Sequence, residues 1–438
     1  MSTTLLELDE HLLRNIGDWI QHPVTTAVTA SSAVVSTHLP NYRSTADYFN
    51  GRWIFFDDKA NIGVERQISD DDGNATLTVR GGNLATDGAN LTTFRIGRYS
   101  YAQRIRAITE AVNEIYPALY KGRDDRTLIT GNALPNSHFE DWIASTAVPD
   151  KYTMSDAQIT ASAATAAGST WGGVKAMQTT TGTGGAGKYA YITSKDYPRL
   201  LDLAGKTINF KAWAYPQTAD DPSLQIYTIQ AAGTSTAQTT LVSTTSAPAG
   251  AWTKIVAENM TLNTGLVEIQ FRFISASASK YIIWDNARAE SDVKEYLLPA
   301  DFKDGAINQI YIQQTGDADD LFSRDWIRVQ DGDIVDDGTD KHLRFRQGYT
   351  GSRLIRLEGN TPLSAMTTYT DSITIEDRRI PLLIAYAKYK LYQLVPGVPA
   401  TQDIGRFESA EAKALWEYQR LANLRMPNQP TRLRMRVL

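Results

Sequence analysis

Residues 131–142, GNALPNSHFEDW, and residues 281–288, YIIWDNAR, bracket the part of the chain whose reading decides the fold. Between them the sequence is rich in Ser, Thr, Ala and Gly and broken into short alternating runs. Outside them, on both flanks, apolar residues recur at helical spacing. Strand patterns fall at 189–192, 207–215, 224–230, 252–256, 267–273 and 281–283. Each has one apolar and one polar face, as an antiparallel sandwich requires. The span 161–187 is almost entirely small and polar and reads as loop.

Working outward, Thr4 and Glu7 have capping-box spacing ahead of an apolar stripe of Leu5, Leu8, Leu12, Ile16 and Trp19, and Pro23 closes that helix. Residues 24–47 carry few signals and read as extended chain across a sheet edge or a neighbouring subunit. Strands follow at 53–56, 63–68 and 75–79, with 70–74, DDDGN, as a hairpin turn, and 94–96 adds a short fourth. Ser100 caps a second helix carrying Ile105, Ile108, Val112, Ile115 and Leu119, and 121–126 is a charged linker. Beyond the bracket come strands at 307–312, 326–329, 342–346 and 353–357, then helices at 380–394 and about 408–425. Pro427 and Pro430 detach a final tail. The expected fold is α+β: a discontinuous body of helices and antiparallel strands, 1–126 and 293–426, with a β-sandwich inserted at 127–292 and an arm at 427–438.

With 438 residues, several cores are expected, and a formal net charge of −5 excludes a polycation built to neutralise nucleic acid. No cysteine is present, which removes disulfides, thiolate zinc sites and thiol catalysis. The N-terminus lacks a signal-peptide pattern and no apolar run is long enough to span a bilayer, so a cytoplasmically folded protein without membrane insertion is expected. Acidic clusters at 70–72, 317–320 and 331–340 coincide with turn signals and read as solvated turns. The five histidines are scattered, and neither a nucleophile elbow nor a phosphate loop occurs, so no enzymatic activity is expected.

Two resemblances add to this. The order NALPNSHFEDW, FKAWAY at 210–215, AWTKI at 251–255 and YIIWDNAR resembles the jelly-roll carbohydrate-binding modules found beside polysaccharide hydrolases. That resemblance implies a structural calcium at Glu140 and Asp285. Sugar recognition on such a fold requires aromatic faces for the apolar side of pyranose rings, and Trp171, Tyr189, Trp213, Tyr215 and Tyr227 are the candidates, with core packing as the alternative for each.

The flanking segments, RWIFFDDKANIGVERQISDDDGNATLTV at 52–79, YAQRIRAITEAVNEIY at 101–116, YLLPADF at 296–302 and the late helices, resemble a tailed-bacteriophage head-to-tail connector. That resemblance implies a homo-oligomeric, twelve-fold ring at the virion neck, assembled in the host cytoplasm, with phage DNA passing through it. It also makes Arg432, Leu433, Arg434, Met435, Arg436, Val437 and Leu438 an arm docking into the portal protein. Their alternation of cationic and apolar residues suits strand addition to a partner, and a frayed terminus is the alternative. Two further functions compete with the adaptor: a carbohydrate-binding tail or receptor-recognition protein that uses its jelly-roll on a surface glycan, and a polysaccharide-degrading enzyme with its binding module.

Overall fold

A computed structural model describes residues 2–28, 32–42, 45–87, 92–142, 148–166, 168–218, 222–231, 238–243, 247–275, 277–319, 325–349, 351–394 and 404–425. The described chain forms two compact units, Met1–Lys121 with Pro362–Gln429, and Gly122–Thr361.

In the first unit, helices α1 (Leu5–Ile16), α2 (Tyr101–Glu114), α3 (Ile380–Leu394) and α4 (Ile404–Arg425) share one apolar core. The expected capping box of Thr4 with Glu7 forms, and Ser100 caps α2 as expected, its box completed by Gln103. Gly17, at φ 73°, ends α1 before Pro23, which instead lies in a strand. Only glycine adopts that left-handed cap without strain. Arg104 on α2 is buried against Asp9 on α1, with 2.6 Å between Nε and Oδ1. A six-stranded antiparallel sheet, in the order Ile20–Pro23, Thr93–Gly97, Trp53–Phe56, Glu65–Asp71, Thr76–Val79, Ala33–Val35, forms a second core. The low-signal stretch after residue 23 buries Val24, Val28, Val34 and Leu39 in that core, so it packs within its own chain.

The second unit contains the β-sandwich. One sheet, the front, runs Gln238–Ser243, Ser223–Gln230, Leu266–Ile274, Tyr189–Thr193, Thr153–Met154. The other, the back, runs Ile159–Ala164, Ala176–Thr181, Tyr281–Glu290, Thr207–Pro216, Thr253–Thr261. Every pairing is antiparallel. Phe139, Phe210, Phe271, Phe273 and Trp284 interlock edge to face between the sheets, each fully buried. Burial on that scale stabilises by roughly 1.5–3 kcal/mol per side chain.

Residues 161–187, expected as loop, supply two strands. Met177 points into the sandwich core, while Ala164 and Ala176 pack on the other face of the sheet with Ile283, and the rest of the two strands is mostly Ala, Ser and Thr, side chains too small or polar to signal burial in the sequence. The opening motif acts as a hinge to the sandwich. Asn132 donates to the Ala287 carbonyl and accepts from the Ala289 amide, while the Ala287 amide donates to Ser137, tying the first residues of the sandwich to its last strand. A side chain on Gly131 would sit 2.9 Å from the Ser291 carbonyl.

The compact unit is wider than the expected 127–292. The expected charged linker, 121–126, is part of a strand, Lys121–Ile129, beside Leu354–Thr361 in the sheet Trp326–Val329, Ala306–Gln313, Leu354–Thr361, Lys121–Ile129. Its charges are spent laterally: Asp124 pairs with both Arg126 and Arg356. A three-stranded sheet, Glu295–Leu297, Lys341–Phe345, Gly332–Asp336, shares that core through Tyr296, Leu343 and Phe345. Strands from 293 to 361 therefore lie with the sandwich.

A buried polar knot joins the two parts of this unit. Arg288, 1% exposed on the central back strand, pairs with Asp319 from the loop after Ala306–Gln313. Asp319 Oδ1 also accepts from Trp213 Nε1 at 2.9 Å and from Asn286 Nδ2 at 3.3 Å, and Lys254 closes on Oδ2. Burial alone would raise this carboxyl, yet Arg288 and Lys254 hold it below the usual carboxylate range. Removing one partner of such a pair strands a charge in the interior. Asp319→Ala is expected to destabilise the Gly122–Thr361 unit by about 3–5 kcal/mol, measured by urea unfolding; a loss under about 1 kcal/mol, typical of an exposed pair, would contradict this role.

Candidate functional site

The outward face of the front sheet gathers aromatic and amide side chains because three neighbouring strands alternate in register. On Ser223–Gln230, Leu224 and Ile226 enter the core and Gln225 and Tyr227 face out. On Leu266–Ile274, Phe271 and Phe273 enter it and Gln270 and Arg272 face out. Register sets Gln225 and Tyr191 on either side of Arg272, and Tyr227 and Thr193 on either side of Gln270.

Arg272 is the centre of this face. Its guanidinium carbon lies 4.1 Å from the ring centroid of Tyr227 and 4.4 Å from that of Tyr189, so two phenol rings clamp it. Nη1 donates to Gln225 Oε1 at 2.9 Å, and Nε and Nη2 both donate to Gln270 Oε1, at 2.8 and 2.6 Å. Gln270 Nε2 in turn donates to Glu268 Oε1 at 2.6 Å, and Lys195 pairs with Glu268 Oε2 at 2.8 Å. Burial would raise the Glu268 carboxyl, but the bonds from Lys195 and Gln270 bring it below its ordinary range. Tyr191 meets Tyr189 edge to face, with ring centroids 5.6 Å apart. The result is a half-buried row of rings, one fixed cation and side-chain amides on a surface that needs no conformational change to be presented. Cation–ring contacts of this kind contribute about 0.5–2 kcal/mol each.

Of the five aromatic candidates, Tyr189 and Tyr227 come together here. Trp171, Trp213 and Tyr215 lie elsewhere, at the back sheet. Trp171 stacks on Trp213 with centroids 3.6 Å apart, Trp252 meets Trp171 edge-on at 6.1 Å, and Tyr215 tilts against Trp252 at 5.5 Å. With one face of Trp213 covered and its indole N–H bonded to Asp319, this group holds the loop around residues 168–175 and the buried knot. Tyr191, Gln225, Gln270 and Arg272 carry no sequence signal beyond their alternation with core residues. What marks them is the cross-strand register.

Glu140 and Asp285 do approach the same loop, but as acceptors. Asp285, fully buried, accepts from the Trp171 and Gly172 amides at 2.7 and 3.0 Å and from the Asn286 amide at 2.6 Å. Glu140 Oε1 accepts from the Val174 and Lys175 amides at 2.5 and 3.1 Å. Burial raises the Glu140 carboxyl, opposed by those two amides. Calcium takes six to eight oxygen ligands, whereas three of the four carboxylate oxygens here face N–H donors. Among the described residues no group of three or more His, Cys, Asp or Glu could hold a metal. The arrangement fits a carboxylate clasp on the loop and does not fit the calcium site that the sequence resemblance implied. The arm residues 432–438 lie outside the described residues, so the portal-docking expectation has no structural counterpart here. Among the described residues no helix is long and apolar enough to cross a membrane.

Fold and face together define the second unit as an antiparallel β-sandwich presenting an aromatic and amide surface. No protein-family profile matches the chain, and no curated protein does. Solved structures similar to part of it include the C-terminal family 22 carbohydrate-binding module of Clostridium thermocellum Xyn10B, at 12% identity and TM-score 0.30, covering 36% of this chain and 92% of that one. The CBM22-2 xylan-binding domain of Paenibacillus barcinonensis Xyn10C is similar at 13% identity and TM-score 0.29, covering 35% of this chain and 97% of that one. The enzymatically active domain of bacteriophage CBA120 tailspike protein 4 is similar at 12% identity and TM-score 0.28, covering 36% of this chain and 21% of that one. These similarities are too distant to assign a family.

Because the carboxylates already face amides, treatment with a chelator, or addition of millimolar calcium, is expected to leave the melting temperature unchanged. A calcium-dependent rise of several degrees in a thermal melt would show that the clasp opens to take the ion.

Proposed function

We propose that the protein is a non-catalytic, glycan-binding protein whose front sheet is the recognition face. The observation that carries this reading is the clamp of Arg272 between Tyr189 and Tyr227, flanked by the amides of Gln225 and Gln270. Sugar rings have apolar C–H faces and hydroxyl rims, so a surface that offers ring edges and faces beside fixed amide donors and acceptors matches both parts. A flat sheet suits an extended chain better than a deep cavity would. Rigid side chains also lower the ordering cost of binding, since Arg272 is already held by three hydrogen bonds. In the virion setting that the flanking sequence resembles, such a face would serve receptor recognition on a host surface glycan.

Tyr227→Ala and Tyr189→Ala are each expected to weaken glycan binding about ten-fold or more, equivalent to roughly 1.4 kcal/mol, while the fold is kept, the stability loss being limited to the one cation–ring contact, about 0.5–2 kcal/mol, because both side chains lie on the outer face. Val267→Ala, at an exposed position of the same sheet, is the control and should bind normally. Calorimetric titration against a polysaccharide panel reads the result. Full binding by both tyrosine variants would contradict the assignment of this face.

A further inference from the structure

We propose that the front face selects glycans bearing carboxylate groups, with the Arg272 guanidinium as the specificity-determining group; this rests on the glycan-binding reading above. Three observations combine. First, the partners of Arg272 are all neutral: Gln225, Gln270 and the rings of Tyr189 and Tyr227. Among the described residues it has no carboxylate within ion-pair distance, whereas Arg344, on a nearby sheet of the same unit, pairs with Glu295 and Arg356 with Asp124. Second, a guanidinium has five N–H donors, and the three bonds to Gln225 and Gln270 leave two on the terminal nitrogens unused. Third, the only carboxylate in this network, Glu268, is already engaged by Lys195, Gln270 and Thr193.

A half-buried cation that lacks a counter-charge is costly unless something supplies one. The structure keeps Arg272 there and fixes its orientation with neutral acceptors, which preserves its charge for an incoming anion. An ionised carboxylate suits the remaining donors in geometry and charge, and such a charge-assisted bond is about twice as strong as a neutral one. The two rings flanking the guanidinium then lie beside the sugar that carries the acid. The ligand class is accordingly an acidic polysaccharide built from uronic or sialic acid residues. A purely neutral chain would use the rings and amides but leave the charge unmatched.

The test uses the full chain and paired probes that differ only at the acid: polygalacturonate against its methyl ester, hyaluronan against its carboxyl-reduced form, and sialyllactose against its methyl ester. Binding is measured by calorimetry at low and at physiological salt. The proposal expects at least one pair in which the acid form binds ten-fold or more tightly, with affinity falling as salt rises. It further expects that preference to vanish in Arg272→Gln and to survive in part in Arg272→Lys. The probe pairs themselves need no variant, so a poorly folding substitution leaves the comparison intact. Equal binding of the acid and neutral members would overturn the acidic specificity while leaving glycan binding in place. Binding of neither member in any pair, with neutral xylan and galactan also unbound, would overturn both.

Discussion

The buried guanidinium of Arg288 is the constraint around which the larger unit is built. It sits on the central strand of the back sheet, where a charge is costly without carboxylate partners; Glu290 of the same strand lies 3.6 Å away, and Asp319 reaches it from outside the sandwich. That one requirement fixes several others. Asn286, Trp213 and Lys254 turn their polar ends to the same carboxylate, Trp171 stacks on the Trp213 ring so oriented, and the loop carrying Trp171 is clasped in turn by Asp285 and Glu140. The back sheet is thereby committed to structure, leaving the front sheet as the face with polar and aromatic groups to spare.

This division explains why two sets of aromatics with similar sequence surroundings do different work. Trp213 and Tyr215 alternate with Ala212 and Ala214 just as Tyr227 alternates with Ile226 and Thr228. On the back sheet the outward rings stack on one another and bond to Asp319. On the front sheet they flank a cation whose other partners are neutral amides. A ring already stacked at 3.6 Å has lost one face to its neighbour, so the same residue type carries packing in one sheet and presentation in the other.

Much of the fold was legible in the sequence. Alternation placed the strands at Tyr189–Thr193, Thr207–Pro216, Ser223–Gln230 and Leu266–Ile274, and the Thr4-x-x-Glu7 spacing and the Ser100 cap placed two helix starts. Local chemistry settles such elements. Ile159–Ala164 and Ala176–Thr181 escaped because alanine and threonine can be buried without announcing it, and Lys121–Ile129 escaped because its charges are matched by partners far along the chain, Asp301 and Arg356. The site was half legible. Tyr189 and Tyr227 were among five aromatic candidates, each with core packing as the alternative, but the role of Arg272 depends on a register that joins residues more than forty positions apart, Gln225 with Arg272 and Tyr191 with Arg272.

The claim that recognition belongs to the front sheet is tested most directly by mapping where a bound acidic oligosaccharide protects the chain from hydrogen–deuterium exchange. The account predicts slowed exchange at the ends and flanking loops of the Tyr189–Thr193, Ser223–Gln230 and Leu266–Ile274 strands, with the back sheet unchanged. Protection centred instead on Thr207–Pro216 and the loop around Trp171, or on the first unit, would contradict it.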